Sequence, residues 1–377
     1  MSNNKSLCVY SNNDGYLYGV VVTINGTTII AGTETQLSNK GYSGYNFDVC
    51  EVETNTFFIS FSNSDGYLYG VVVTINGTTI IAGTETRLST LTNSGYMYNR
   101  PSCEKIDENK IFVGYYAQNS GWKLYGVICI INGTTIITGS ETQIYTSSNN
   151  TLVKLSVTKV ETNKVFIAFS YGNNYYLYLL VCTINGTTIT TGSVNTDFGI
   201  SYYGYYINTI LISDNKVLVV HSVDQNFNYL YGIVCIINGT TITSGTDTRI
   251  SDGSYSSKNV SVYNKGSNII NIVYSKTYQY ICERDILINN TTITLKNETI
   301  LLNTSESARL VSSAFLNDNQ KLIIHSDTSN SNYYKMKCFG VANIVKLIIA
   351  TNQTICGVAN TGGVTGNIIK VYTPIYS

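Results

Sequence analysis

Residues 14–35 read DGYLYGVVVTINGTTIIAGTET, and residues 65–86 repeat these letters without a change. The INGTT core of this stretch returns along the chain, with its asparagine at Asn25, Asn76, Asn132, Asn185 and Asn238 and as the variant INNTT at Asn289. The repeats are therefore 51 to 56 residues long. A period near 50 residues is typical of arrays of small β-sheets, and it predicts the architecture before any residue receives a role.

The composition argues against two classes of partner. Charged residues make up 12% of the 377 residues and the net charge is zero, which predicts no binding to nucleic acid or to an anionic membrane. No apolar stretch approaches the ~20 residues that span a bilayer, so no membrane insertion is expected. The first 14 residues have no apolar segment of the kind found in signal peptides. We therefore expect a protein made in the cytoplasm without a signal peptide.

The nine cysteines predict buried free thiols. Cys129, Cys182 and Cys235 each lie three residues before the asparagine of INGTT, where the first two repeats have Val22 and Val73. A position that accepts either valine or cysteine behaves as a small apolar core position. The odd total and the absence of C-x-x-C pairs favour neither a disulfide framework nor a zinc site.

One repeat predicts four short strands. In the unit 45–90, the segments 45–53, 56–62, 67–75 and 78–88 are rich in β-branched and aromatic residues, and polar turns separate them. Asn76 and Gly77 are both tolerant of left-handed backbone, which predicts a two-residue type I′ turn between the third and fourth strands. Four short antiparallel strands per repeat are typical of a propeller blade.

Counting these elements predicts a seven-bladed β-propeller, an all-β fold. Second and third strands occur seven times each but first strands only six times, because the chain begins at a second strand. A C-terminal strand at 367–376 would supply the missing strand, close the ring and remove two exposed sheet edges. The domains are then 1–350, the propeller repeats, and 351–377, the closing element. Six blades with a separate C-terminal β-module are the alternative.

The blade pattern sorts the loops onto two faces of the ring. The INGTT hairpins and the turns after the first strands share one face and hardly vary. The loops after the second strands and the connections between blades share the other face and are rich in Tyr, Asn, Ser and Gly, a composition typical of recognition surfaces. The predicted ligand-binding residues on this variable face are Tyr42, Tyr45, Tyr96, Tyr98, Trp122, Tyr175, Tyr202, Tyr203, Tyr205 and Tyr255.

The sequence offers no recognisable catalytic motif. His221 and His325 stand at matching places near the end of a second strand, without an evident nucleophile or carboxylate partner. Acidic residues recur once per repeat in the fourth strand, too far apart to act as paired catalytic carboxylates, and structural hydrogen bonding is their predicted role; they are Glu34, Glu85, Glu141, Asp247 and Glu298. We therefore expect no catalytic residues, no metal, no cofactor and no enzymatic function.

The sequence pattern of the repeat, V-x-T-I-N-G-T-T-I-x-x-G-T-E-T, resembles the repeats of phage tail-fibre and tail-associated proteins. The segment 350–374, ATNQTICGVANTGGVTGNIIKVYTP, resembles the short C-terminal element of many such virion proteins. The resemblance covers residues 14–374 and carries no catalytic residues over. It implies a virion component at the tail tip or fibre of a phage that meets the host surface, and we expect many copies per particle. The richness in Asn, Ile and Tyr resembles the coding bias of a low-GC bacterium or its phage.

Three functions follow from these expectations. The first is a receptor-binding tail or fibre protein whose variable face binds a host surface glycan or protein. The second is a structural or decorating virion subunit whose variable face docks on another tail or baseplate protein. The third is a bacterial lectin-like protein unrelated to phage.

Overall fold

The protein is described by a computed structural model, and its described residues form an all-β protein. The residues that the structure describes are all except 1–3, 12–15, 26–27, 40–46, 64, 92–100, 119–121, 147–151, 172–175, 196–203, 224–228, 254, 277–279, 304–310, 318–319, 328–332, 341–343, 349–353, 361–366 and 371–377. Within them there is no helix long and apolar enough to cross a membrane.

The first half of the chain supplies sheets I to IV. Sheet I begins with β1 (Lys5–Ser11), β2 (Leu17–Asn25), β3 (Thr28–Ala31) and β4 (Thr35–Gln36). Sheet II contains β5 (Phe47–Glu53), β6 (Thr56–Ser62), β7 (Leu68–Asn76), β8 (Thr79–Ala82) and β9 (Thr86–Arg87). Sheet III contains β10 (Ser102–Asp107), β11 (Lys110–Gln118), β12 (Trp122–Asn132), β13 (Thr135–Thr138) and β14 (Thr142–Thr146). Sheet IV contains β15 (Leu152–Glu161), β16 (Lys164–Tyr171), β17 (Tyr176–Asn185) and β18 (Thr188–Thr191).

The second half supplies sheets V to VII and completes sheet I. Sheet V contains β19 (Gly204–Ser213), β20 (Lys216–Val223), β21 (Tyr229–Asn238), β22 (Thr241–Ser244) and β23 (Thr248–Arg249). Sheet VI contains β24 (Tyr255–Gly266), β25 (Ile269–Lys276), β26 (Tyr280–Asn289) and β27 (Thr292–Asn303). Sheet VII contains β28 (Val311–Asn317), β29 (Gln320–Asp327), β30 (Tyr333–Gly340) and β31 (Ile344–Ile348). The strands β32 (Thr354–Asn360) and β33 (Asn367–Lys370) join sheet I.

The sheets have the strand order of propeller blades. Each of sheets II to VII runs first, second, third and fourth strand in chain order, and every neighbouring pair is antiparallel, as β5-β6-β7-β8 shows. The first strands of successive sheets contact one another, as β5 and β10 do and as β10 and β15 do. Successive antiparallel sheets whose first strands contact one another in this way define a β-propeller, so the predicted β-propeller fold is confirmed.

The predicted propeller of seven four-stranded blades is wrong. Six sheets of the described chain, II to VII, have the four or five strands of a blade, and sheet I has six. The alternative of six ordinary blades fits this count. However, the C-terminal strands do not form a separate module, because β32 pairs with β1 over Ser6–Ser11.

The strand that meets β1 is also not the predicted one. The expected closing segment, 367–376, contributes only β33, which pairs with β32 and not with β1. β32 lies earlier in the chain and takes the place of the missing first strand. The backbone groups along the free edge of β1 thereby gain partners, which is the physical reason for closing the ring.

The hairpins after the third strands differ from the predicted type I′ turn. Asn76 is still paired with Thr79, so the two central residues are Gly77 and Thr78. Only Gly77 has a positive φ, of 63°, as a type II′ turn with glycine at its first central position requires. In the INNTT variant Asn290 occupies that position with a φ of 54°. The asparagine that the repeat shares is therefore the last paired residue of the strand.

The core lies between adjacent sheets. Phe58 and Val72 of sheet II pack with Cys103, Val113 and other apolar residues of sheet III in one buried cluster, and similar clusters join sheets I and II, III and IV, IV and V, and V and VI. All seven cysteines whose side chains are described are free and buried in these strands, as predicted. Burial raises the pKa of the Cys182 and Cys235 thiols to about 12, so both stay protonated at neutral pH.

Polar side chains tie the first strands together around the ring. The Asp48 carboxylate, 1% exposed, accepts the N–H of Cys103 at 2.8 Å from the first strand of the next sheet. The hydroxyls of Ser102 and Ser156 accept the N–H groups of Val157 and Thr209 in the same way, each at 3.1 Å. Each of these bonds satisfies a buried backbone donor that faces the neighbouring sheet.

In sheets I to V, a glycine just after the fourth strand lets the next sheet approach closely. A Cβ added to Gly83 would lie 2.7 Å from the carbonyl oxygen of Thr134, in the hairpin of sheet III, and 3.1 Å from that of Val72. The same contact between glycine and hairpin threonine recurs at Gly32, Gly139, Gly192 and Gly245. The repeated G-T-E-T and INGTT motifs are thus two halves of one contact between sheets.

Candidate functional site

The strand register separates two ends of the ring. The turn at Thr54–Asn55 and the hairpin at Gly77–Thr78 lie at the same end, because Thr56 pairs with Thr74 and Ile75 donates its N–H to the carbonyl of Asn55 at 2.7 Å. The second strand ends, and the third begins, at the opposite end, where Ser62 pairs with Leu68. The variable loops and the connections between sheets therefore leave from this second end, which we call the variable face.

Most of the predicted ligand-binding residues lie outside the described residues; these are Tyr42, Tyr45, Tyr96, Tyr98, Tyr175, Tyr202 and Tyr203. The backbone of the other three is described. Trp122 begins β12 and pairs with Gln118, Tyr255 begins β24 and pairs with Lys276, and Tyr205 follows Gly204 at the start of β19. All three backbone positions lie at the strand ends that form the variable face.

A row of carboxylates lies in the outer part of the sheets, close to the variable face. The phenol groups of Tyr10, Tyr115 and Tyr274 donate to Glu34, Glu141 and Glu298, respectively. The tyrosine lies near the end of the second strand of its sheet, and the glutamate lies in or just after the fourth strand. In sheet V the same pair of positions holds His221 and Asp247, with 3.1 Å between the imidazole Nε2 and the carboxylate. We call this row the carboxylate seam.

In sheets I to V, the second-strand ring at this position is stacked on the aromatic residue opposite it in the third strand. The ring centroids lie 5.3 to 6.2 Å apart at angles of 19° to 25°. The stacked pairs are Tyr10–Tyr18, Phe61–Tyr69, Tyr115–Tyr125, Phe169–Tyr178 and His221–Tyr231. Offset stacking of this kind holds the rings in one orientation, so the tyrosine hydroxyls are aimed at the carboxylates.

The seam also joins neighbouring sheets. Glu85 of sheet II accepts the backbone N–H of Asn39, which follows sheet I, at 2.6 Å. Glu141 of sheet III accepts the N–H of Thr90, which follows sheet II, at 3.0 Å, and it also accepts the Thr90 hydroxyl. The structural role predicted for the recurring carboxylates is therefore confirmed at these positions.

His221 corrects the sequence interpretation, which found no carboxylate partner for it. Its partner Asp247 is 26 residues away, the same separation as between Tyr115 and Glu141. Alignment of the repeats could have shown that the two pairs are equivalent. His221 is 2% exposed, and its place in the seam is that of a structural hydrogen-bonding residue.

Alkaline pH is expected to weaken the seam. Burial, followed by the hydrogen bond to Glu141, raises the pKa of Tyr115 above its ordinary value of 10.0, so folding favours the protonated phenol. The free energy of unfolding should therefore hold below pH 10 and fall as the pH rises further. The free energy of unfolding is measured by urea titration at several pH values in this range. Tyr115→Phe should reduce the slope of this free energy against pH by up to about 1.4 kcal/mol per pH unit. Phe61 and Phe169 occupy the equivalent place, so the ring fits, and an unchanged slope would contradict the prediction.

Two arginines at the variable face were missed by the sequence interpretation. The guanidinium of Arg87 lies over the ring of Tyr67 at 3.4 Å, and that of Arg249 lies over Tyr229 at 3.6 Å. Both arginines are exposed and both tyrosines are half-buried. The signal that could have found them is the pattern T-R-[LI]-S after the G-T-[ED] motif in sheets II and V.

The two arginine–tyrosine pairs share their other contacts. Arg87 Nε donates to the carbonyl of Ser89 at 2.6 Å, and Nη2 donates to that of Thr90 at 3.3 Å. Arg249 donates to the carbonyls of Ser251 and Asp252 at 2.9 and 3.0 Å. Each guanidinium is therefore held against the chain segment that leads to the next sheet.

The described residues include no group of three or more His, Cys, Asp or Glu side chains arranged to hold a metal ion. The polar groups that the described part of the variable face offers include hydroxyls, carboxylates and the two stacked guanidinium groups. Together with aromatic rings, these groups are suited to binding an uncharged polar molecule by hydrogen bonds and stacking.

Comparison with known proteins identifies the fold. No protein-family model and no curated protein matches the chain. The structure of Pseudomonas aeruginosa periplasmic gluconolactonase is 7% identical, with a TM-score of 0.58, over 98% of this chain and 99% of that one. A mutant of AofleA from Arthrobotrys oligospora with three arginines changed to alanine is 11% identical, with a TM-score of 0.52, over 92% and 91%. Aleuria aurantia lectin in complex with Fucα1-6GlcNAc is 12% identical, with a TM-score of 0.47, over 84% and 96%.

At these identities the likenesses show the β-propeller fold alone, and the lectin's TM-score is too low to support an argument. They do correct the expectation that the chain is not an enzyme. That expectation took a repeated propeller for a scaffold without an active site, whereas a gluconolactonase has the same fold over nearly its whole length. The fold is compatible with catalysis as well as with binding, since function depends on the groups that a fold carries.

Proposed function

We propose that this protein is a carbohydrate-binding β-propeller of a phage tail or fibre, and that its variable face binds a glycan on the host cell surface. The observation that supports this most directly is the separation of the two ends of the ring. One end holds the hairpins and short turns, which vary little, and the other holds the longer connections, whose sequences differ from sheet to sheet.

The chemistry of the variable face favours a glycan. Its connections are rich in Tyr, Asn, Ser and Gly, which combine rigid amphipathic rings with short hydrogen-bonding side chains. The two arginine–tyrosine pairs and the carboxylate seam add charged donors and acceptors next to aromatic rings. The chain has no net charge, so binding should depend on stacking and hydrogen bonds more than on long-range attraction.

The virion part of the proposal rests on the resemblance of the repeat and of the C-terminal segment to tail proteins. Many copies on one particle would turn weak single sites into tight attachment, since linked sites raise the apparent affinity by roughly 10²–10⁴.

The test is binding of fluorescently labelled protein to intact cells of low-GC bacteria, before and after their surface polysaccharide is stripped. We expect saturable binding that is lost on stripping and that changes little between about 50 and 200 mM salt, where a binder of many phosphates would lose ~10³–10⁵ in affinity. Replacement of Tyr202, Tyr203 and Tyr205 by alanine should weaken binding. The matched control replaces Glu108 and Thr162, exposed residues in turns at the opposite end.

Each other outcome favours another function. Loss of particle assembly with the triple alanine variant would favour a structural subunit docked on a neighbouring virion protein. Binding to stripped cells would point to a protein receptor. Breakdown of the isolated polysaccharide by the wild-type protein would assign an enzyme.

A further inference from the structure

The two arginine–tyrosine pairs can be compared with a natural copy of one site that lacks the arginine. Residues 14–35 and 65–86 are identical, and the next residue is Gln36 in sheet I but Arg87 in sheet II. Leucine and serine then follow in both copies. A single side chain therefore distinguishes the fourth-strand end of sheet I from that of sheet II.

Glutamine makes the structural hydrogen bond that arginine makes. Gln36 Nε2 donates to the carbonyl of Ser38 at 2.7 Å, and Arg87 Nε donates to the carbonyl of the equivalent Ser89 at 2.6 Å. The fold thus needs one donor at this position but no cation. The exposed guanidinium of Arg87 and its stacking on Tyr67 go beyond this structural requirement.

Each guanidinium donates to the backbone carbonyl of a residue that itself contacts or carries a carboxylate. The carbonyl of Thr90 accepts a hydrogen bond from Arg87, and the N–H and hydroxyl of Thr90 donate to the Glu141 carboxylate. Both charged groups therefore contact the same residue. At the other site Arg249 donates to the carbonyl of Asp252. The side chain of Asp252 is 60% exposed and pairs with Arg284 from sheet VI.

Based on these contacts, we propose that Arg87 and Arg249 each form the centre of a sugar-binding subsite, and that the two subsites bind the same neutral monosaccharide unit. This inference rests on the proposed function and names its ligand class. The guanidinium donates to adjacent sugar hydroxyls and the nearby carboxylate accepts from one of them. An acidic sugar would meet these carboxylates as well as the cations, and the carboxylates would repel it, whereas a neutral sugar uses both kinds of group. The Tyr67 and Tyr229 rings hold the guanidinium planes in place.

The experiment uses the full chain and immobilised oligosaccharides ending in glucose, galactose, mannose or fucose, with polygalacturonate as the acidic comparison. The stoichiometry is then measured by calorimetry with the best neutral binder. We expect two equal sites per chain in the wild type, one in Arg87→Gln and one in Arg249→Gln. The double variant should bind at least about tenfold more weakly. Gln36→Arg should add a third site, because Tyr16 and Glu85 are already present there.

The outcomes separate this inference from the proposed function. Unchanged binding by the double variant, with a wild-type thermal midpoint, would overturn the two subsites and leave glycan binding elsewhere on the face. Binding of polygalacturonate alone would overturn the choice of a neutral sugar. No binding to any oligosaccharide or to host cells would overturn both. The Gln variants should fold, because sheet I uses glutamine at this position.

Discussion

Replacing Asp48 by alanine is expected to lower the free energy of unfolding by about 2–4 kcal/mol. The carboxylate is 1% exposed and accepts the N–H groups of Cys103 and Val49 at 2.8 and 2.9 Å. Without it the buried N–H of Cys103 loses this acceptor between sheets II and III, and removing the partner of a buried backbone donor is costly. Urea unfolding followed by circular dichroism measures the loss.

The chain itself supplies the control for this substitution. At the next two boundaries the same bond is made by the hydroxyls of Ser102 and Ser156. Asp48→Ser should therefore keep the bond to Cys103 and stay within about 1 kcal/mol of the wild type, the net value of an ordinary hydrogen bond. Equal losses for serine and alanine would show that charge or side-chain size, and not the bond between the sheets, determines stability here.

Gly83→Ala is expected to lower the free energy of unfolding by about 2–3 kcal/mol. The new methyl group would lie 2.7 Å from the carbonyl oxygen of Thr134 and 3.1 Å from that of Val72. Both neighbours are backbone atoms, so no side chain can move aside. Sheets II and III would have to separate, and thermal unfolding followed by calorimetry should show a lower midpoint.

Gly77→Ala is the matched control for the close contact. Gly77 has a φ of 63° but open space around its Cβ position, so alanine there meets only backbone strain, which costs about 1 kcal/mol. If both variants lose the same amount, the effect at Gly83 would be conformational and the packing explanation would be wrong.

In the candidate site, the sequence predicted the strands but not the contacts between their side chains. Tyr10, Tyr115 and Tyr274 lie in strands that the repeat predicts, and the recurring carboxylates were correctly assigned a structural role. Their pairing was not predicted, because residues 24 or 26 positions apart meet only when the second strand and the fourth-strand segment are folded onto the third. The stacked arginines were missed for the same reason, since an isolated Arg87 in the sequence carries no sign of Tyr67 beneath it.

The repeat by itself determined the all-β propeller, the order of strands within a sheet, the buried cysteines and the division into a constant and a variable end. These features depend on local strand propensity and on contacts within one repeat. The residues responsible recur in successive repeats, so the pattern is visible in the sequence. The tertiary structure alone decided how the sheets meet. It placed β32 beside β1, the Gly83 backbone against Thr134, and the Asp48 carboxylate on Cys103. Such contacts join different repeats, and their geometry is set only when the ring closes.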